Sequence, residues 1–167
     1  MIELSEIILI GLSGFTLLIS FITAKLEIQI EGKYGWAQNL PTWRKTEGFL
    51  VRLQGFPTTG YHTWLNALRF ITFNIPMLFF MIIFMIKEID ISLLIRTESL
   101  LLGLMITSIV IGNFLWVLLN PYYGIRKFNG KAIYWQKRWI GPFPDWYYLN
   151  IIISAILIYF GLPGISF

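Results

Sequence analysis

Four long apolar runs in a chain of 167 residues leave little sequence for a water-soluble fold. They are Ser5 to Ala24, in which Glu6 is the one charge, about Phe70 to Ile86 with Arg69 at its edge, about Ser99 to Leu119, and about Trp146 to Ile165. An apolar stretch of about 20 residues crosses a hydrocarbon core of about 30 Å as a helix. Lipid offers the backbone no hydrogen-bond partner, so helices that satisfy their own N–H and C=O groups are expected. Charged residues make up 13% of the chain, roughly half the usual share of about 25%, which fits the same solvent. The sequence predicts an all-α integral membrane protein, a single domain over residues 1–167. It is expected to have four transmembrane helices and two structured loops.

Orientation follows from Lys and Arg. Lys25, Lys33, Arg44, Lys45, Arg52 and Arg69 lie between or beside the first two runs, and Arg126, Lys127, Lys131, Lys137 and Arg138 lie between the last two. Only Lys87 and Arg96 fall between runs two and three. Positive charge stays on the cytoplasmic side of a span. The prediction is a multi-pass protein of the cell membrane with both long loops cytoplasmic and both termini outside. The first residues, Met1-Ile2-Glu3-Leu4-Ser5-Glu6, are acidic. A secretory signal opens on a basic region, so the first run reads as a retained span. The net charge of +4 is then a property of one face. It suits anionic lipid headgroups better than nucleic acid.

The two loops have their own patterns. Residues 26–31 alternate apolar and polar, as a strand does, or continue the first helix; either way Glu27 and Glu31 share a face. Phe49, Leu50, Leu53 and Phe56 against Lys45 and Arg52 make a short amphipathic piece for the interface. In the second loop, Ile125 to Trp135 reads as a β-hairpin on Asn129-Gly130, because that dipeptide accepts the positive φ of a two-residue turn. Asp145, at the end of Gly141-Pro142-Phe143-Pro144-Asp145, is placed to cap the last helix. The two loops do not resemble each other, and both halves share one orientation, so the inverted repeat of many transporters is absent.

The residues able to do chemistry gather on the loop side. Six of the seven tryptophans (Trp36, Trp43, Trp64, Trp135, Trp139 and Trp146) fall in the loops or at their ends, and only Trp116 lies well inside a run. A belt of indoles at headgroup level forms on both faces as a rule. The one-sided gathering therefore points to loops folded back on the membrane, with an aromatic binding surface as the functional reading. Asn74, Asn113 and Asn150 fall in the loop-side halves of three different runs, as interhelical glue or as the wall of a polar cavity. Pro76 beside Asn74 frees a backbone acceptor. His62 is the one histidine, the side chain whose ordinary pKa lies closest to neutrality. Glu27, Glu31 and Asp145 share its level, so a general base oriented by a carboxylate is one reading and an amphipathic anchor the other.

Much is excluded. With one His and no Cys, there is no disulfide, thiolate metal site, bis-histidine haem or structural zinc. A carboxylate metal site at Glu27, Glu31 and Asp145 is not demanded by any spacing. Gly11 and Gly14 allow close helix approach but lack a dimer repeat.

Three functional readings result. In the first, a cytoplasmic polar pocket binds an anionic lipid or lipid-linked substrate and has residues that could process it. His62 would be the acid/base, Glu31 or Asp145 its orienting carboxylate, Arg44 and Arg69 the headgroup clamp. Asn74, Asn113, Asn150 and Trp43 would line the pocket. No cofactor is identified, and nucleic acid is not an expected partner. The second reading is an accessory or assembly subunit whose aromatic loops dock on a larger membrane protein. The third, a transporter or channel, lacks an intramembrane carboxylate at the middle of any run.

Overall fold

The computed structural model describes residues 4–54, 56–84 and 91–162, and its fold is mostly helical. Five helices appear: α1 (Leu4–Glu31), the short α2 (Phe49–Gln54), α3 (Gly60–Phe84), α4 (Ile91–Leu119) and α5 (Asp145–Gly161). Among the described residues two stretches are long and apolar enough to cross a membrane, Ile8–Glu31 in α1 and Ile91–Leu119 in α4; α5 is apolar but shorter. Lys87 and the ends of the second and fourth apolar runs lie outside the described residues.

The first helix does not stop at Ala24. No Gly or Pro follows until Gly32, which takes φ 59° and donates the last helical bond to Ile28 O at 2.9 Å. A glycine in the left-handed region is the common end of a helix. Residues 26–31 are therefore helix, not strand. Their polarity is inverted: Glu27 and Glu31 are 4% and 7% exposed, whereas Leu26 and Ile30 are 52% and 49% exposed. Carboxylates face the protein, and aliphatic side chains face the surroundings.

At the other helix starts, local hydrogen bonds decide. Thr59 caps α3: its Oγ1 accepts from His62 N at 3.2 Å, and its carbonyl accepts from Thr63 Oγ1 at 2.8 Å. That cap starts the helix ten residues before the apolar run. Helix α5 begins at Asp145, but Asp145 does not cap it. Pro144 occupies the cap position with no side-chain bond, and the Asp145 carboxylate turns instead to Arg138 Nε at 2.8 Å.

Helix α4 is central, packed most closely on α5, then on α1 and least on α3. Small residues permit this. A Cβ on Gly103 would come within 3.0 Å of the Ser154 carbonyl, and one on Gly161 within 2.6 Å of Leu100 N. Thr107 Oγ1 and Ser154 Oγ meet at 2.5 Å across the same seam. By contrast, a Cβ on Gly11 or Gly14 would meet nothing within 4 Å, so those glycines serve no close approach.

Two minimal antiparallel hairpins fold the loops. Strand β1 (Arg44–Lys45) pairs with β2 (Thr58–Thr59), and β3 (Trp139–Ile140) pairs with β4 (Phe143–Pro144). The second loop thus holds a hairpin, but on Gly141-Pro142 and not on Asn129-Gly130. Gly141 supplies the positive φ, 58°. Asn129 fails as a hairpin turn because its Oδ1 accepts from Lys131 N and Ala132 N, both at 3.1 Å. Such side-chain capture competes with strand pairing. Residues 125–127 form a 3-10 turn, and Ile133 and Trp135 drop into a core with Ala24, Ile28, Trp116 and Val117. Asn120 ties the loop to α1, with Nδ2 donating to Gly32 O at 2.8 Å.

Candidate functional site

Where the loops meet the helices, His62 is held from three sides. Its Nδ1 lies 2.7 Å from Thr59 Oγ1, its Nε2 lies 3.4 Å from Glu31 Oε1, and its ring stacks on Trp36 at 4.1 Å between centroids and 15° between planes. Thr59 Oγ1 already accepts from the His62 backbone N–H, so its own proton is free to go to Nδ1. In the neutral imidazole that leaves the ring proton on Nε2, facing Glu31. The result is a hydroxyl–imidazole–carboxylate chain, the arrangement that orients a general base.

The turn carrying Trp36 is strained. Trp36 and Ala37 take φ 59° and 52°, a region that costs a non-glycine residue of order 1–3 kcal/mol. Three contacts hold it there. Glu31 Oε1 accepts from Ala37 N at 2.6 Å, Trp36 Nε1 donates to Pro57 O at 2.7 Å, and Arg44 Nη1 donates to Trp36 O at 3.2 Å. Arg44 also donates to the Ala37 carbonyl. Its guanidinium is therefore spent on the turn.

Beside this chain lies a buried ion pair. Arg69 Nη2 is 3.2 Å from Glu27 Oε1, and Arg69 Nη1 donates to Asn66 Oδ1 at 2.9 Å. Arg69 is 3% exposed and its Nε has no partner. Gly112 on α4 makes room for it, since a Cβ there would approach Arg69 Nη2 to 3.3 Å.

These groups border a cavity of about 300 Å³, whose polar lining includes Glu27, Thr58, His62, Arg69, Asn113 and Asn150. Trp36, Phe56 and Trp146 form its aromatic wall, with Phe56 edge-on to both indoles at 4.6 and 5.7 Å. A second void of about 20 Å³ adjoins it, bordered by Glu27, Glu31, His62 and Gln136; that is room for one water. The charge of Glu31 reaches the neighbouring loop. Burial first, and Glu31 in addition, raise the Tyr123 and Tyr134 hydroxyls above the ordinary phenol range, so both stay neutral at pH 7.

Of the residues singled out from sequence, His62, Glu31, Arg69, Asn113 and Asn150 come together here. Asp145 does not, being paired with Arg138. Asn74 lies instead in an apolar groove between α3 and α4, with Glu98 and Ser99. Trp43 is 54% exposed and borders a separate groove with Trp64 and Leu68. Glu27 enters the site through the extended α1. Among the described residues no group of three His, Asp or Glu side chains is arranged to hold a metal ion. From sequence, Trp36 stands only as one of the loop-side tryptophans and Phe56 only as part of the short amphipathic piece. Thr59 had a readable signal, since a Thr three residues before a lone His is also a helix cap.

The chain matches no protein-family model, and comparison with curated proteins and with solved structures gives no match. The functional reading rests on the site alone.

Proposed function

We propose that α1, α3, α4 and α5 all cross the membrane, with both long loops cytoplasmic and both termini outside. The loop-covered cavity would bind the headgroup of a lipid or lipid-linked phosphate, with His62 as its acid/base. The carrying observation is the meeting of Glu27, His62 and Arg69 at one cavity beneath aromatic loops, with Glu31 behind His62. Buried charges on helices whose outer faces are aliphatic are costly in a membrane and mark functional sites. Ile10, Ile82 and Ile95, each at least 63% exposed, are the kind of surface that lipid covers.

The phosphate contact is assigned differently from the sequence reading. With Arg44 turned to the Trp36 and Ala37 carbonyls, the cations assigned to the phosphate are Arg52 and Lys137, which border a neighbouring groove of about 300 Å³ together with Arg138, itself paired with Asp145. Phe56 borders both this groove and the cavity. A phosphate would sit in the basic groove while the end of the headgroup enters the cavity. Glu31 orients His62 through Nε2, and the Thr59 hydroxyl exchanges a proton with Nδ1.

The test is photocrosslinking in vesicles with a phospholipid carrying a diazirine in its headgroup. The expected result is modification of peptides containing Trp36, Phe56 or Trp146, reduced several-fold in Asn150→Leu. Labelling spread along the outer faces of the helices, unchanged by the variant, would overturn the reading. The accessory-subunit alternative draws on the exposed indoles of Trp43 and Trp64 in a groove of about 740 Å³.

A further inference from the structure

The cavity and its rim have opposite character, and this narrows the class of headgroup. Glu27 and Arg69 neutralise each other within hydrogen-bonding distance, and Glu31 adds a second carboxylate behind His62. The cluster thus sets two carboxylates against one guanidinium. The cavity also offers free acceptors for a cation. Asn113 and Asn150 each give Nδ2 to a carbonyl of their own helix, Ile109 O and Trp146 O, both at 2.8 Å. Among the described residues, the Oδ1 atoms of these two side chains accept no hydrogen bond. Thr58 Oγ1 is buried with no hydrogen-bond partner among the described residues. All three residues border the cavity. Donors stand beside these acceptors: the second Nδ2 proton of each Asn and the orphan Arg69 Nε.

We propose that the cavity takes a primary ammonium group, presented on a phosphate-bearing lipid whose phosphate occupies the Arg52, Lys137 and Arg138 groove. An –NH3+ carries three donors and no acceptor. It would find Asn113 Oδ1, Asn150 Oδ1 and Thr58 Oγ1 as acceptors. The indoles of Trp36 and Trp146 supply electron-rich walls that attract a cation. At about 300 Å³ the cavity sits at the small end of ligand pockets. It holds the end of a headgroup, with the acyl chains left outside. A glycerol or inositol headgroup has hydroxyls but no cation for the carboxylates. A trimethylammonium group has the charge but no N–H.

This inference rests on the lipid-headgroup reading, and one experiment separates their failures. The full chain in detergent is titrated with dihexanoyl phosphatidylethanolamine, its N-trimethyl analogue phosphatidylcholine, and phosphatidylglycerol, with tryptophan fluorescence as readout. The expected order is ethanolamine tightest, with phosphatidylglycerol at least tenfold weaker and the trimethyl analogue several-fold weaker. Thr58→Val supplies the second variant. Losing one hydrogen bond to a charged group weakens binding by roughly tenfold. Because the Thr58 hydroxyl is unpartnered, the same change leaves the unfolding temperature of the free protein unchanged or higher. Equal affinity for all three lipids, or no effect of Thr58→Val on ethanolamine binding, overturns the ammonium assignment and leaves the lipid site standing. Binding of none of them overturns both.

Discussion

Arg69 is the residue on which the site's charge balance turns. It sits on α3, reaches Glu27 on α1 and passes Gly112 on α4. Removing one member of a buried pair strands the other charge, at a cost of about 3–5 kcal/mol, whereas replacing both with apolar groups is often neutral. Arg69→Ala is therefore expected to destabilise the protein by about 3–5 kcal/mol in denaturant unfolding in detergent. The double variant Glu27→Leu with Arg69→Met is expected to recover most of that loss. An Arg69→Ala protein as stable as the parent would show that the pair is solvated and the cavity open. The strained turn at Trp36 and Ala37 depends on Glu31 in the same way. Glu31→Ala removes the acceptor for Ala37 N and leaves His62 Nε2 without its carboxylate. It is expected to cost about 2–3 kcal/mol in the same unfolding measurement and to release Trp36 from the His62 ring, read as a change in tryptophan fluorescence.

At the scale of elements, the α4–α5 seam is the most extensive helix pairing among the described residues. Gly103→Leu would drive a side chain into Ile158 and the Ser154 carbonyl, and overpacking of that kind costs about 1–3 kcal/mol. Gly11→Leu faces open space and serves as the control. Unfolding midpoints should fall for the first and hold for the second. The helices, their approximate centres and the one-sided gathering of Trp, His and Asn were legible in the sequence, because apolar runs and local composition report them directly. A hairpin in the second loop was legible too, but its position was not. Asn129-Gly130 is a strong turn signal, but its outcome depends on whether Ile133 and Trp135 are buried elsewhere. They are, beneath Trp116 and against α1, a tertiary contact no local pattern reports. The alternation at residues 26–31 misled for a related reason. On a helix facing lipid, the polar positions point inward, so Glu27 and Glu31 become site residues where a water-soluble helix would expose them. Asp145 was lost to Arg138 because a neighbour on the same hairpin outcompeted a distant histidine.

In the whole molecule, an outer surface of aliphatic side chains surrounds an interior cluster of charge, covered by loops that carry four of the seven tryptophans. Each part needs the others. On the proposed reading, lipid around α1, α3, α4 and α5 covers their exposed Ile, Leu and Phe faces. Without the folded loops, Glu27, Glu31, His62 and Arg69 have no cover from water. Without a ligand, Thr58 Oγ1 and the two Asn carbonyl oxygens face an empty cavity. Native mass spectrometry of the protein, extracted gently from its own membrane, tests this union most directly. The expected result is one chain retaining a single adduct of phospholipid mass, with occupancy reduced several-fold by Asn113→Leu. A chain that carries no lipid but holds one second polypeptide in fixed ratio would contradict the account and favour an accessory subunit.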